Sequence, residues 1–137
     1  RKETIELRKI TLKKENPLFS AFGTTATYFK RLYYLDEKPY IYFIHYLPSD
    51  LLDFKRKEFD QESLYRLLMQ KGYLIDSFSD DFSAIFLSKE EQEMLNTSST
   101  IAIKRTRQSK SIHGEMIEYS EAIYETNLHT YHIDYET

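Results

Sequence analysis

Arg31 is the residue whose placement first raises a chemical question. It lies in the stretch Tyr28–Pro48 (YFKRLYYLDEKPYIYFIHYLP), where two aromatic and aliphatic runs flank Asp36-Glu37-Lys38-Pro39. Such runs suit a pleated, half-buried surface, and polar turn-formers between them predict a β-hairpin. Leu47-Pro48 ends the second strand, because proline cannot donate to a ladder. Arg31 shares strand parity with Phe29 and Tyr33, so the three point to one face. A cation on an otherwise apolar face needs a partner, and a bound anion would serve as one.

Glu118 poses the complementary question. In Met116–Tyr124 (MIEYSEAIY), residues Met116, Glu118, Ser120, Ala122 and Tyr124 share one face of a predicted strand. If that face is inward, Glu118 is an acceptor inside a cavity. The other reading is a cross-strand salt bridge with Lys104 or Arg105, and spacing leaves both open. Of the four histidines (His45, His113, His129, His132), His129 and His132 have the spacing of two metal ligands on a helix. They fall near a predicted strand, however, where that spacing sends side chains to opposite faces, so no metal site is expected. No Ser, His and Asp grouping stands in a motif, and with 3 glycines there is no phosphate-cradling loop. The absence of cysteine excludes disulfides, thiolate zinc sites and thiol catalysis. Neither catalytic residues nor a cofactor are expected.

The elements that must position these residues follow from local signals. Thr4 to Leu12 alternates as an edge strand. Asn16-Pro17 opens a short helix as N-cap and first helical residue, with Gly23 as its stop. After the hairpin, Ser49-Asp50 caps a helical turn through Leu51, Leu52 and Phe54. Lys55–Glu58 reads as a solvated charged loop. Asp60 to Lys71 has helical spacing, with Leu64, Leu67 and Leu68 on one side and Gly72 as the stop. Tyr73 to Leu87 reads as one long strand with a polar parity and an apolar one (Leu74, Phe78, Phe82, Phe86). Ser88-Lys89-Glu90-Glu91 is a capping box for a helix through Leu95, ended by Asn96. Strands are predicted for Ile101–Gln108, Glu115–Tyr124 and His132–Tyr135. Short connections imply antiparallel pairing, hence an α+β fold with helices on one face of the sheet.

The chain of 137 residues is long enough for one domain with a real core, and 41% hydrophobic with 30% charged residues is a globular balance. Its 12 tyrosines could line a polar cavity or sit at edges and interfaces. The net charge of −3 argues against a duplex-binding surface of its own. No apolar run is long enough for a membrane helix and no signal peptide is visible, which fits a cytoplasmic protein without membrane contact. The chain opens on Arg1 rather than Met, so a fragment is expected.

In their order, the motifs resemble the effector-binding (UTRA) domain of GntR-type bacterial transcription regulators of the HutC subfamily. Asn16–Gly23 is similar to that family's short helix. Phe29-Lys30-Arg31-Leu32 with Asp36-Glu37-Lys38-Pro39 is similar to its arginine-bearing strand and turn. His45-Tyr46-Leu47-Pro48 resembles "s-Y-L-P", and Ser63-Leu64-Tyr65 with Leu67-Leu68 and Gly72 resembles "G-S-L-Y-x-L-L". Leu95–Arg105 and Gly114–Tyr124 resemble the closing "R-t…G-x-p-v-E-y-s-x-s-x-Y". The match covers almost the whole chain.

The resemblance implies a chorismate-lyase-like antiparallel sheet with helices packed on it, around a small-molecule pocket. It implies that residues 1–137 form an effector-binding and dimerisation domain, with a winged helix-turn-helix domain absent from this chain. It assigns Arg31 and Ser63 to a phosphate and Glu118 and Tyr124 to sugar hydroxyls; Tyr33, Phe43 and Tyr65 join these four as expected ligand-binding residues. Tyr33 stands where some sugar-phosphate sensors have a second arginine, and Phe43 where they have a glutamate, which makes the pocket more aromatic. The family's arginine-rich tail is here Tyr124–His129. The implied function is a homodimeric sensor of a small anionic metabolite such as a phosphorylated sugar, acting on DNA through the missing domain. A chorismate-lyase-like enzyme and a dimerisation module without ligand are the competing functions.

Overall fold

The computed structural model describes residues 1–136. The long alternating runs become one six-stranded antiparallel sheet in the order β1-β2-β3-β6-β5-β4. Its strands are β1 (Lys2–Thr11), β2 (Thr25–Leu35), β3 (Lys38–Leu47), β4 (Ser77–Phe86), β5 (Ile101–Lys110) and β6 (Met116–Tyr124). β1 is an edge strand, as its sequence suggests, and β4 is the other edge. Four short helices, α1 (Phe19–Phe22), α2 (Arg56–Gln61), α3 (Leu64–Gln70) and α4 (Lys89–Met94), join a 3-10 helix over Ser49–Asp53. No helix among the described residues is long and apolar enough to cross a membrane.

The β2–β3 connection is tighter than its four polar residues suggest. Leu35 already pairs with Lys38, and the turn is Asp36-Glu37, at φ 49° and 63°. Two left-handed residues match the strand twist but are uncommon for non-glycine side chains. A register shift then follows at Tyr33/Tyr34. Tyr40 is the extra residue, and beyond it Arg31 faces Phe43 and Phe29 faces His45.

Several helix and strand expectations are corrected. Lys55–Glu58 is largely helical, because the Glu58 carboxylate accepts the Lys55 N–H at 3.0 Å and opens α2. The helix expected from Asp60 breaks at Glu62 and Ser63, both extended, so the leucines sit on a separate α3. Tyr73–Asp76 is not strand; β4 begins at Ser77. Phe78, Phe82 and Phe86 do share one parity, but as part of an edge they stay between 46% and 84% exposed. His132–Tyr135 pairs with no strand. Met116 leaves the face of Glu118, because the register shifts between Ser109 and Lys110.

Helices lie on both faces rather than one. On the face of Arg31, Phe29 and Leu47 pack with Leu51, Phe59, Leu64, Leu67 and Leu68 from the 3-10 helix, α2 and α3. Leu67 and Leu68 are fully buried, each worth roughly 1.5–3 kcal/mol. On the opposite face, Leu95 after α4 packs on Leu32, Tyr42, Ala102 and Ile123. α1 packs its Phe19 and Phe22 around Ala26. The Ser88 capping box forms, with Glu91 N–H donating to Ser88 Oγ at 3.1 Å and Ser88 N–H to Glu91 Oε1 at 2.8 Å.

Glu37→Gly is expected to raise the melting temperature by a few degrees. Glycine adopts this left-handed φ without a Cβ penalty, and the Arg1–Glu37 pair it removes is at the surface. A fall in the thermal midpoint would show that this turn carries no backbone strain.

Candidate functional site

Arg31 is brought to its face by the register of three strands. Its guanidinium carbon lies 4.9 Å from the ring centre of Phe43, 5.0 Å from Tyr33 and 5.4 Å from Phe29. Arg31 is 7% exposed. Its Nε donates to His45 Nε2 at 3.0 Å. His45 Nδ1 lies 2.7 Å from Glu118 Oε2, and Ser109 Oγ donates to Glu118 Oε1 at 2.8 Å. Phe29 and Phe43 each stack with the imidazole, with ring centroids 5.4 Å from it.

The relay fixes protonation states. Nε2 of His45 receives a proton donor, so its lone pair must be free and the ring proton sits on Nδ1, donated to Glu118. Burial and then the Arg31 charge lower the His45 pKa to about 4, outweighing the Glu118 carboxylate, which pulls it up. Burial alone would raise Glu118. Hydrogen bonds from His45 and Ser109, with the Arg31 charge, hold it below the usual carboxylate value instead. Burial lowers the Arg31 pKa, yet guanidinium remains a cation. The unit is therefore Arg31 positive, His45 neutral and Glu118 negative.

A second polar group lies beside it. Arg107 is cross-strand from Ser120, which is cross-strand from His45. Its fork donates to Asp80 at 2.7 and 2.9 Å and its Nη1 to the Tyr65 hydroxyl at 3.2 Å. Arg105 is cross-strand from Ala122, itself opposite Phe43. Its guanidinium carbon sits 5.8 Å from the Tyr124 ring centre. Burial raises the Tyr124 pKa to about 12, so its hydroxyl stays protonated near neutral pH. Lys2, half-buried at the other edge, donates to the Glu62 carbonyl at 2.6 Å, next to Ser63.

The structure thus gathers Arg31, Tyr33, Phe43 and Glu118 on one face. Glu118 is fully buried with both oxygens engaged. Tyr124 and Tyr65 join the cluster through Arg105 and Arg107. Ser63 is exposed at the start of α3, with no hydrogen bond from its hydroxyl to the helix. Glu118 has no bond to Lys104, which pairs with Glu121 at 2.8 Å. His129 lies against Tyr40 and His132 pairs with Asp134.

Sequence reasoning did not single out His45, Ser109, Arg107, Asp80 or Lys2 as site residues. His45 was legible only with the hairpin register in hand. A cavity of about 910 Å³ opens elsewhere, between α1, the 3-10 helix and the β5–β6 hairpin. Asp50, Glu115 and Lys110 mix charge signs there, and it lacks the concentrated positive charge of the Arg31 face.

The relay predicts a pH dependence of stability. Above pH 6.5 His45 is neutral in both folded and unfolded chains. Between 6.5 and about 4 the unfolded histidine binds a proton that the folded one refuses, so stability falls as pH drops. Glu118, with its lowered pKa, acts in the same direction below its ordinary 4.5. The loss from His45 is expected to reach roughly 2–3 kcal/mol near the lower end of this window. Urea unfolding across the window checks it, with His45→Phe as the control that lacks the histidine contribution.

Comparison with known proteins gives the family and the fold. The family model described as the UTRA domain matches residues 2–130. No curated protein matches. Among solved structures, the chain superposes on the ligand-binding domain of a GntR-family transcriptional regulator, so described, from Bordetella bronchiseptica. The TM-score is 0.84 at 17% identity, covering 100% of this chain and 88% of that one. A GntR-family transcriptional regulator from Enterococcus faecalis gives a TM-score of 0.83 at 15% identity, covering 98% and 100%. PhnF from Mycobacterium smegmatis gives 0.82 at 17% identity, covering 98% of this chain and 62% of that one. The antiparallel sheet with its few helices is the chorismate-lyase-like fold of these domains, and the match over nearly its whole length makes the chain a member of the UTRA domain family.

Proposed function

We propose that this chain is the effector-binding domain of a GntR-type, HutC-subfamily transcription regulator, and that it senses a small anionic metabolite such as a sugar phosphate. In this reading the domain is homodimeric and cytoplasmic. It touches DNA only through a winged helix-turn-helix domain outside this sequence, represses transcription, and carries out no chemistry on its ligand. Likeness to regulators' ligand-binding domains supports the class.

The observation that carries the ligand chemistry is the state of Arg31. Its hydrogen bond is edge-on, from Nε to a neutral imidazole, which leaves the paired Nη donors of the fork for an oxyanion. A planar fork donates two parallel charge-assisted bonds to phosphate or carboxylate. Ser63 and Tyr65 extend this anion end, and Tyr33 and Phe43 form its aromatic wall. Tyr124, a neutral hydroxyl, reads the hydroxyl end. Glu118 acts from beneath, orienting His45 and through it Arg31.

Binding alters regulation only if the ligand favours one arrangement of the regulator over another. A melting-temperature screen over phosphorylated sugars and organic acids is expected to find a stabilising anion without turnover. Arg31→Ala should weaken that anion by about 10- to 100-fold, the worth of a hydrogen bond to a charged group. Undiminished binding by Arg31→Ala would refute the anion assignment.

A further inference from the structure

The charges on this face do not cancel. Glu118 answers Arg31 through His45. Asp80 forms a salt bridge with Arg107 at 2.7 Å, and Asp60 acts on Lys2 through its charge. Among the described residues Arg105 has no salt-bridge carboxylate, and its buried Nε has no hydrogen-bond partner. Its charge also bears on Arg31 and His45, lowering the pKa of each. Asp80 feels the Arg105 charge from a distance, but its oxygens are held by Arg107. A half-buried guanidinium with an orphaned donor is destabilising unless something supplies the missing acceptor.

We propose that Arg105 is a ligand-binding residue, the second jaw of a clamp whose first jaw is Arg31, closing on one oxyanion group of a small organic anion. The row Arg31, Phe43, Ala122, Arg105 runs straight across β2, β3, β6 and β5. Arg31 leans over Phe43 on β3, and Arg105 leans toward Tyr124 on β6. Those two strands are neighbours, and the Ala122 methyl leaves low ground between the long side chains. The ring of Tyr131 closes the Tyr124 side, with centroids 4.7 Å apart, so the clamp suits an anion carried on a flat body. The assignment rests on the effector-site reading of this face.

The test uses benzoate and phenyl phosphate, two flat anions that differ in the oxyanion. Each is titrated into the isotope-labelled chain while the side-chain Nε–H resonances of Arg31 and Arg105 are followed. Both resonances should shift together and saturate in the millimolar range for the better probe. Arg105→Met should weaken that probe about 10- to 100-fold, and Arg105→Lys should recover part of the loss. Without probe, Arg105→Met should melt at the parent temperature or above, since it deletes a buried donor that no acceptor meets while Asp80 keeps its bond to Arg107. A structural arginine would instead lower it by several degrees. Loss of binding in Arg31→Ala with none in Arg105→Met overturns the clamp and leaves the effector site standing. Saturable binding of neither probe to the parent overturns both.

Discussion

A buried guanidinium is what the middle of this sheet is arranged to tolerate. An unpaired charge at the depth of Arg31 would cost several kcal/mol. The chain answers it without a direct carboxylate contact. A neutral imidazole accepts from Nε and passes the dipole on to Glu118, which Ser109 holds from the far side. The relay takes one residue from each of β2, β3, β6 and β5, so the four central strands share one polar network. Its cost is offset because every inner donor and acceptor is met. Its outer donors, on the Arg31 fork, stay free. A direct salt bridge between Arg31 and Glu118 would satisfy the sheet equally well and leave nothing to bind with.

One inserted residue makes the relay possible. From the Asp36-Glu37 turn, an unbulged hairpin would pair Leu35 with Lys38, Tyr34 with Pro39, and so on to Arg31 with Tyr42. His45 would then lie on the opposite face. The bulge at Tyr40 moves the partner of Arg31 to Phe43 and brings His45 beneath it. A slip of one residue exchanges the two faces of a strand, and here it decides whether the arginine meets an imidazole or a tyrosine. Pro39 stands beside the irregularity, where its missing N–H costs no regular ladder bond.

That bulge also marks how far the sequence could be read. Strand parity placed Arg31 with Phe29 and Tyr33, and Glu118 with Ser120, Ala122 and Tyr124, because parity is local. The resemblance supplied the fold, and the family match agrees. Parity cannot say which residue of the next strand lies opposite, so His45 and Ser109 were visible as residues but not as partners. Met116 was assigned to the wrong face for the same reason, a second irregularity at Ser109/Lys110. The helical errors have another cause. Lys55–Glu58 looked like a solvated charge run, yet one carboxylate reaching back to a backbone N–H starts a helix there. The break at Glu62-Ser63 interrupts a leucine pattern whose spacing alone reads as continuous.

The sheet order gives the site a mechanical meaning. β1, β2 and β3 form one antiparallel group and β6, β5 and β4 another, joined along the β3–β6 ladder. The His45–Glu118 bond crosses that seam from the inside. An anion held between a guanidinium on β2 and one on β5 would cross it again from the outside. Its binding energy would then depend on how the two halves of the sheet are twisted relative to each other. That dependence is the differential affinity a ligand needs in order to bias a conformation. A ligand gripping either half alone, however tightly, would bind without bearing on the seam.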